Sequence, residues 1–407
     1  MANITEDVIR NVTARASVPL IFRQYVSNWA ISQWSEDKWC SIFNDKEIPF
    51  RCLMKDFVSD EPCWERRCAV KTMTFKDFLQ KLDGEEWMYF DYKYLHQWLP
   101  PDNELCKELS WKQFGYPDKG ASQSTLWVGS KGSHTPCHQD TYGYNIVAQL
   151  YGRKRWILFP PETGGLIPTR VPYEESSVYS ELNFYCPSNL DSFHGITGAR
   201  MVELSAGDAL LVPRGWWHYV QNIDPLNITV NIWLPHEKDT SAHVSEALIK
   251  ILVAQLCKDL PQETAKLLVN PNEDDISDTP LAVLFLQLEA VAKAYLDKKR
   301  KLHRIKRQKT RDDDHEVAAP EEFDLNALLD NPQNNLETVP IISNEKLIEL
   351  LKANLTEFVN TNKSVDEDDV DSAPGSLCLT KAVIDAFSQS NVIDLVKQNL
   401  FTRLTQL

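Results

Sequence analysis

The hexapeptide TPCHQD at positions 135–140 constrains this chain more than any other feature. Successive side chains of a strand point to opposite faces of a sheet, so His138 and Asp140 would project together. A further histidine, His218, follows in the motif WWHYV, within a run that reads as a second strand. Two imidazoles and one carboxylate are the ligand set typical of non-haem Fe(II) sites, which keep open coordination positions. The sequence therefore predicts two strands, distant along the chain, that lie side by side and bind a metal.

Lys154 is unusual because it begins the run KRWILF, whose last four residues are all apolar. On an alternating strand its side chain would share a face with Trp156. A buried cation needs an anionic partner, and lysine binds a carboxylate as a point charge. The alternative interpretation is a solvated charge on an edge strand.

The composition is typical of a globular chain with a large core, since 43% of its 407 residues are hydrophobic. No apolar run approaches the roughly 18 residues of a membrane span. Residues 1–17 carry charges and lack an apolar centre, so we expect neither a signal peptide nor a transit peptide. The nine cysteines are scattered, which fits reduced thiols and a cytoplasmic location.

The net charge of −15 is unevenly distributed. Residues 298–311 contain nine Lys or Arg and no acidic residue, which leaves −24 on the remainder of the chain. Such an acidic body disfavours a nucleic acid as partner, because it repels the phosphate backbone. The basic run is interpreted as a nuclear localisation signal, which would add the nucleus to the expected locations, as a nucleic-acid contact, or as a solvated extension of the preceding helix that leads into a linker. Leu302 and Ile305 interrupt the run at near-helical spacing and favour the helix.

Helical patterns precede and follow the predicted strands. Thr74 is expected to cap a helix that runs to Leu82, and an earlier helix is expected over residues 8–16. Two stronger helices are predicted over residues 241–256 and 281–296. The second is apolar on several sides, which predicts that it is buried nearly all round.

Five motifs, in this order, resemble the JmjC domains of small protein hydroxylases such as the asparaginyl hydroxylases. They are TLWVG at 125–129, TPCHQD at 135–140, GRKRWILFPP at 152–161, VPRGWWHYV at 212–220 and NITVNIW at 227–233. Two further segments, 87–94 and 171–178, are similar to JmjC proteins that associate with a small heat-shock protein. The resemblance covers roughly residues 15–300.

Carried over to the matching positions, the resemblance implies that His138, Asp140 and His218 bind Fe(II). It also implies a pocket for 2-oxoglutarate, lined by Thr135, Lys154, Asn145, Asn231 and Tyr89. Between Asp140 and the pair Asn145 and Lys154 the chain is one residue longer than the asparaginyl hydroxylases. A strand bulge is therefore expected there, and it affects the orientation of Asn145.

Two neighbours of this predicted site have expectations of their own. Cys137 points away from His138 on an alternating strand, which predicts a buried and unreactive core residue. Trp233 follows Asn231 by two residues, so we expect it to face the mouth of the pocket. The other tryptophans of the motifs are assigned to the core.

The predicted fold is mainly β with α: a double-stranded β-helix, the jelly roll of cupin-like JmjC domains, with N-terminal helical elements and a C-terminal helical extension. The predicted domains are N-terminal elements over 1–120, the jelly-roll core over 121–236, a helical extension over 237–300, a basic and then polar linker over 301–342, and a partly disordered helical segment over 343–407.

The resemblance implies an Fe(II)- and 2-oxoglutarate-dependent enzyme that hydroxylates a protein side chain, and pairing of two copies through the helices at 241–296. Three alternatives stay open. A JmjC protein could bind a small heat-shock protein without turnover. A lysine demethylase would use the same site, but such enzymes usually carry zinc modules, for which the cysteines here are not arranged. A cupin isomerase or sugar-binding module is disfavoured by Lys154 together with Thr135.

Overall fold

The computed structural model describes residues 5–169, 177–261, 265, 268, 279–312, 324–359 and 375–404. The chain divides into two compact units. The first consists of Met1–Pro168, Tyr179–Pro235 and Asp324–Asp366, and the second of Thr169–Val178, His236–Phe323 and Glu367–Leu407. Within the described parts, no helix is both long enough and apolar enough to cross a membrane.

Antiparallel strands dominate the first unit. In chain order the strands are β1 Leu20–Phe22, β2 Glu47–Met54, β3 Ala69–Thr74, β4 Glu86–Tyr94, β5 Ser110–Trp111, β6 Tyr116–Gly120, β7 Ser124–Ser130, β8 His134–Asp140, β9 Tyr144–Tyr151, β10 Lys154–Phe159, β11 Ser177–Tyr179, β12 Arg200–Leu204, β13 Ala209–Val212, β14 Trp217–Asn222, β15 Leu226–Leu234 and β16 Leu336–Thr338. One sheet has the order β16-β1-β13-β9-β15-β7-β4-β2-β3, the other has the order β11-β8-β14-β10-β12, and β5 pairs with β6 alone.

A common core lies between the two large sheets. The side chains of Val147, Leu210 and Ile21 come from the nine-stranded sheet and pack with those of Trp156 and Val220 from the five-stranded sheet. The sheets therefore face each other, as in a sandwich or roll. Two facing antiparallel sheets, with helices before and after them, confirm the predicted mainly β class with α elements.

The helices are, in chain order, α1 Glu6–Arg15, α2 Glu36–Phe43, α3 Phe75–Leu79, α4 Leu95–Trp98, α5 Glu104–Glu108, α6 Asp239–Cys257, α7 Leu281–Asp312, α8 Leu325–Leu329, α9 Asn344–Phe358, α10 Gly375–Phe387 and α11 Ser390–Leu404. Thr74 caps α3 as predicted, because its side chain accepts a hydrogen bond from the backbone of Asp77. The helix ends at Leu79, three residues before the predicted Leu82.

Residues after position 324 complete the first unit. Strand β16 pairs with β1, and Val339 is fully buried in the core between the sheets. Helix α9 follows, and its buried Asn354 donates a hydrogen bond to the backbone oxygen of Tyr185. The prediction of a linker throughout 301–342 is therefore wrong for β16: a strand of only three residues carries too little periodicity to be recognised, and its pairing is distant along the chain.

Four helices make up most of the second unit as described. Helices α6 and α7 confirm the two that the sequence predicts over 241–256 and 281–296. Helix α7 continues to Asp312, so the basic run at 298–311 belongs to a helix, as its spacing favoured. The prediction that this helix is buried nearly all round is wrong. Only one stripe, with Leu284 and Leu288, is buried, while Phe285 and Leu286 are 52% and 63% exposed.

Candidate metal centre

Neighbouring strands β8 and β14 bring the two predicted histidine ligands together. His138 and His218 are direct partners in this antiparallel pair, and their ring centroids lie 4.1 Å apart. The register shifts after His218, at a bulge between His218 and Val220. A bulge beside a site re-aims the side chains of the strand.

Hydrogen bonds fix which nitrogen of each imidazole is available. Nδ1 of His138 lies 2.9 Å from the backbone oxygen of Pro136, and Nδ1 of His218 lies 3.0 Å from that of Trp216. A carbonyl oxygen only accepts, so each Nδ1 carries the hydrogen and each Nε2 keeps its lone pair. Such bonds orient ligand histidines in metal sites. Burial, with a smaller contribution from His218, lowers the pKa of His138 to about 4, although Asp140 opposes the shift. His138 is therefore neutral near pH 7.

Asp140 supplies the carboxylate of the set. Its Oδ1 lies 3.7 Å from Nε2 of His138, while its Oδ2 accepts a hydrogen bond of 3.1 Å from the indole N–H of Trp233. The ligand atoms that His138, Asp140 and His218 offer all lie within 4.8 Å of one another. Three converging donors, two of them imidazole nitrogens held in the correct tautomer, fit a divalent transition metal. Among the described residues this is the one such cluster of His, Cys, Asp or Glu.

Lys154 lies buried at the start of β10, the strand that pairs with β14, with only 2% of its surface exposed. Its Nζ lies 3.4 Å from the hydroxyl of Tyr89. Burial raises the pKa of that hydroxyl, and the nearby side chain of Thr135 opposes the rise. Three of the residues predicted to hold a carboxylate are thus brought together. Burial lowers the pKa of Lys154 to about 7, and the negative charge of Asp91 opposes this shift.

Asn145 and Asn231 also meet, on neighbouring strands β9 and β15. The amide of Asn231 donates to Oδ1 of Asn145 at 2.9 Å and accepts from the indole N–H of Trp127 at 2.7 Å. The register of β9 against β15 shifts at Leu150, which lies after Asn145 and not between Asp140 and Asn145. Asn145 remains buried and hydrogen-bonded in spite of it.

The predictions for the neighbours of the site agree with the structure. Cys137 is fully buried, and burial raises the pKa of its thiol. Trp233 reaches the site, as its bond to Asp140 shows. Trp127 does so as well, although the sequence assigned it to the core. Of the segment 171–178, which carried part of the resemblance, residues 171–176 lie outside the described residues.

Sequence reasoning missed a buried ion pair next to the site. Arg51 donates two hydrogen bonds, of 3.0 and 2.6 Å, to one carboxylate oxygen of Asp91. Asp91 lies two residues from Tyr89 on β4, and the Arg51 guanidinium lies 5.9 Å from the centre of the Tyr89 ring. The signal was present: each charge interrupts a run of apolar or aromatic residues, PFRCLM and MYFDYKY.

Comparison with known proteins identifies the fold family. The model of a cupin-like domain matches residues 6–240. The human protein named HSPB1-associated protein 1 is 39% identical over 313 residues, which cover 72% of this chain and 63% of the relative. JmjC domain-containing protein A of Dictyostelium discoideum is 26% identical over 54% of this chain and 88% of its own length. Lysine-specific demethylase JMJ30 of Arabidopsis thaliana is 24% identical over 55% of this chain and 51% of its own length.

The chain therefore spans less than two thirds of the human relative that it matches. The matched region includes both ligand-bearing strands and every strand of the two facing sheets except β16. Sequence, architecture and the arrangement of the site lead to one conclusion: this chain belongs to the cupin-like family of JmjC domains, and its predicted jelly-roll fold is confirmed.

Proposed function

We propose that this chain is an Fe(II)- and 2-oxoglutarate-dependent oxygenase that hydroxylates a side chain of a protein substrate. The observation that carries the proposal is the convergence of His138, Asp140 and His218, with both imidazole Nδ1 atoms bonded to backbone carbonyls. Iron with 2-oxoglutarate would supply the oxidising chemistry needed to break a C–H bond.

The residues around the metal ligands would bind and orient the co-substrate. Lys154, Tyr89 and Thr135 would hold its far carboxylate, because a buried ammonium group and two hydroxyls can each donate to it. The bonded pair of Asn145 and Asn231 would line the pocket beside them. Such a buried dicarboxylate would supply the anionic partner that Lys154 needs.

Succinate formation tests this proposal. The protein, loaded with Fe(II) and 2-oxoglutarate, is presented with an arrayed peptide library, and the products are analysed for succinate and for peptides that have gained one oxygen atom. The His138→Ala protein, with its fold checked by circular dichroism, is the comparator, since it lacks one proposed ligand. Turnover in the wild type alone supports the proposal, whereas equal turnover in both proteins contradicts the assigned site.

A second candidate function is binding of a small heat-shock protein without turnover. It is favoured by the similarity to the human protein named for association with HSPB1. A binding measurement with a small heat-shock protein, made on the wild type and on His138→Ala, separates the two. Equal binding by both, with no succinate from either, would favour this candidate.

Lysine demethylation is the third candidate, since one relative is named a lysine-specific demethylase. Among the described residues, no group of His and Cys besides the proposed iron site could build a zinc module of the kind that reads chromatin. Methylated lysine peptides within the same library test it directly, through loss of a methyl group.

A further inference from the structure

Tyr92 has an unusual backbone conformation at the end of β4. Its φ is +54°, in the left-handed region that residues other than glycine seldom adopt. The register of β4 against β7 shifts between Phe90 and Lys93, so Tyr92 lies in a bulge. Its side chain is 53% exposed. A strained conformation of this kind persists only where the surroundings hold it.

The ring of Tyr92 contacts two tryptophans, one from the adjacent strand β7 and one from β15, the next strand of the sheet. Its centroid lies 5.4 Å from that of Trp233 on β15, with the planes tilted by 50°. It lies 5.8 Å from that of Trp127 on β7, in an edge-to-face arrangement with planes at 82°. Both distances are in the range of favourable aromatic pairs. The bulge therefore places one ring against two indoles.

Each of these indoles donates its N–H to a different side chain of the site: one to the proposed metal ligand Asp140, the other to the pocket amide Asn231. Trp233 bonds Oδ2 of Asp140, which leaves Oδ1 directed toward His138. Trp127 bonds Oδ1 of Asn231, whose amide then bonds Asn145. Tyr92 thus contacts both the tryptophan that bonds Asp140 and the tryptophan that bonds Asn231.

We propose that Tyr92 is a positioning residue, whose ring braces Trp233 and Trp127 and so fixes the orientation of the Asp140 carboxylate and of the Asn231 amide. The consequence for metal binding rests on the function proposed above. The positioning of the two indoles by Tyr92 does not rest on that function, because it depends only on side-chain packing.

The positive φ of Tyr92 permits a variant that removes the side chain without straining the backbone. Tyr92→Gly removes the ring but suits the positive φ, so the strand and its bulge are not penalised. Tyr92→Phe keeps the ring and removes only the hydroxyl. Asn44→Gly is the matched control, since Asn44 also has a positive φ, of 52°, at the end of α2.

The first measurement is hydrogen exchange of the indole N–H groups by NMR in the metal-free protein. Trp233→Phe and Trp127→Phe identify the two resonances among those of the twelve tryptophans. We expect Tyr92→Gly to lose protection at both indoles, and Tyr92→Phe and Asn44→Gly to keep it. Unchanged protection in Tyr92→Gly would overturn the proposal.

The second measurement is Mn(II) affinity, with the electron paramagnetic resonance spectrum of the bound ion. Loss of a residue that hydrogen-bonds a metal ligand lowers metal affinity about 10- to 100-fold. Tyr92 contacts such a residue and not the ligand itself, so we expect Tyr92→Gly to lower Mn(II) affinity about 10-fold. Tyr92→Phe should restore the wild-type affinity and spectrum. If the wild type itself binds no Mn(II), the proposed function fails. The hydrogen-exchange measurement still tests whether Tyr92 holds the two indoles in place.

Discussion

His138 and His218 face each other across a pair of antiparallel strands, with their ring centroids only 4.1 Å apart. Burial lowers the pKa of His138, and the neighbouring His218 contributes a smaller shift in the same direction. Because a backbone carbonyl holds Nδ1 of each ring, the Nε2 atoms of both rings are placed to share a metal ion. The first prediction follows from this pair.

Replacing His138 and Asp140 together by alanine should abolish metal binding, because only one of three ligands would remain. Metal content of the purified protein, measured by inductively coupled plasma mass spectrometry, checks this. Gln139→Ala is the control, since Gln139 lies between the two ligands and bonds the backbone of Gly215. An unchanged metal content in the double variant would contradict the assigned site.

Lys154→Ala should weaken 2-oxoglutarate binding far more than metal binding. Removing one partner of a buried charge pair costs roughly 3–5 kcal/mol. Calorimetry in the presence of Mn(II) measures both affinities. Arg155→Ala is the matched control, because Arg155 follows on the same strand and pairs instead with Glu203. Equal 2-oxoglutarate affinity in the wild type and Lys154→Ala would exclude this role for the lysine.

The affinity for 2-oxoglutarate should decrease as pH rises above about 7, the lowered pKa of Lys154. Only the protonated amine attracts a carboxylate, and its fraction falls about tenfold per pH unit above the pKa. The stability of the ligand-free protein should change in the opposite direction. The pKa of Lys154 in the folded protein lies below its value near 10.5 in the unfolded chain. Between these two values the unfolded state binds more protons, so the free energy of unfolding rises with pH.

Titration of 2-oxoglutarate at several pH values from 6 to 9, with Mn(II) bound, measures the first effect, and Lys154→Arg should flatten it, because arginine stays charged. A pH-independent affinity in the wild type would show that Lys154 does not titrate in this range.

Cys137→Ala should leave the metal stoichiometry intact, although residue 137 directly precedes a ligand. The thiol is fully buried and its pKa is raised by burial, so it acts as a small apolar side chain. Truncation should cost on the order of 1 kcal/mol of stability, measured by denaturant unfolding. Metal loss in a correctly folded Cys137→Ala protein would overturn both the strand alternation and the ligand set derived from it.

Two copies of the chain should associate through the α6–α7 helices. Phe285 and Leu286 of α7 are both more than half exposed, and together they present an apolar surface of the kind that marks interaction sites. Changing both to serine should convert the dimer to a monomer without loss of helix content. Light scattering coupled to size-exclusion chromatography measures the mass, and Val70→Ser, at another exposed apolar residue, is the control. A monomeric wild type would refute this prediction.

The metal-ligand pair of the site could be predicted because its two residues are close together in the sequence. His138 and Asp140 are two residues apart, and strand alternation alone places them on one face. Lys154 could be recognised as buried because the apolar run WILF follows its neighbour Arg155. For His218 the motif indicated the partner strand, and the pairing of β8 with β14 supplied the contact.

The features that could not be predicted depend on pairing between distant strands. The positive φ of Tyr92 arises from a bulge, whose position is set by the register of β4 against β7. The ion pair of Arg51 and Asp91 likewise requires β2 to lie beside β4. In α7, apolar residues on every side suggested burial, but Phe285 and Leu286 are more than half exposed in the described structure, because burial depends on how the helices pair and not on the residues of one helix alone.

The return of the chain at β16 has a consequence for how this protein is divided into fragments. A piece ending near residue 240, where the family match ends, would leave an edge of β1 unpaired and remove Val339 from the core. It would also lose Asn354, which bonds both Tyr185 and Gln221. An unpaired edge and a missing core side chain both promote aggregation. The first compact unit is therefore longer than the region that the family model matches, and its last strand and helix follow helices α6 and α7 along the chain.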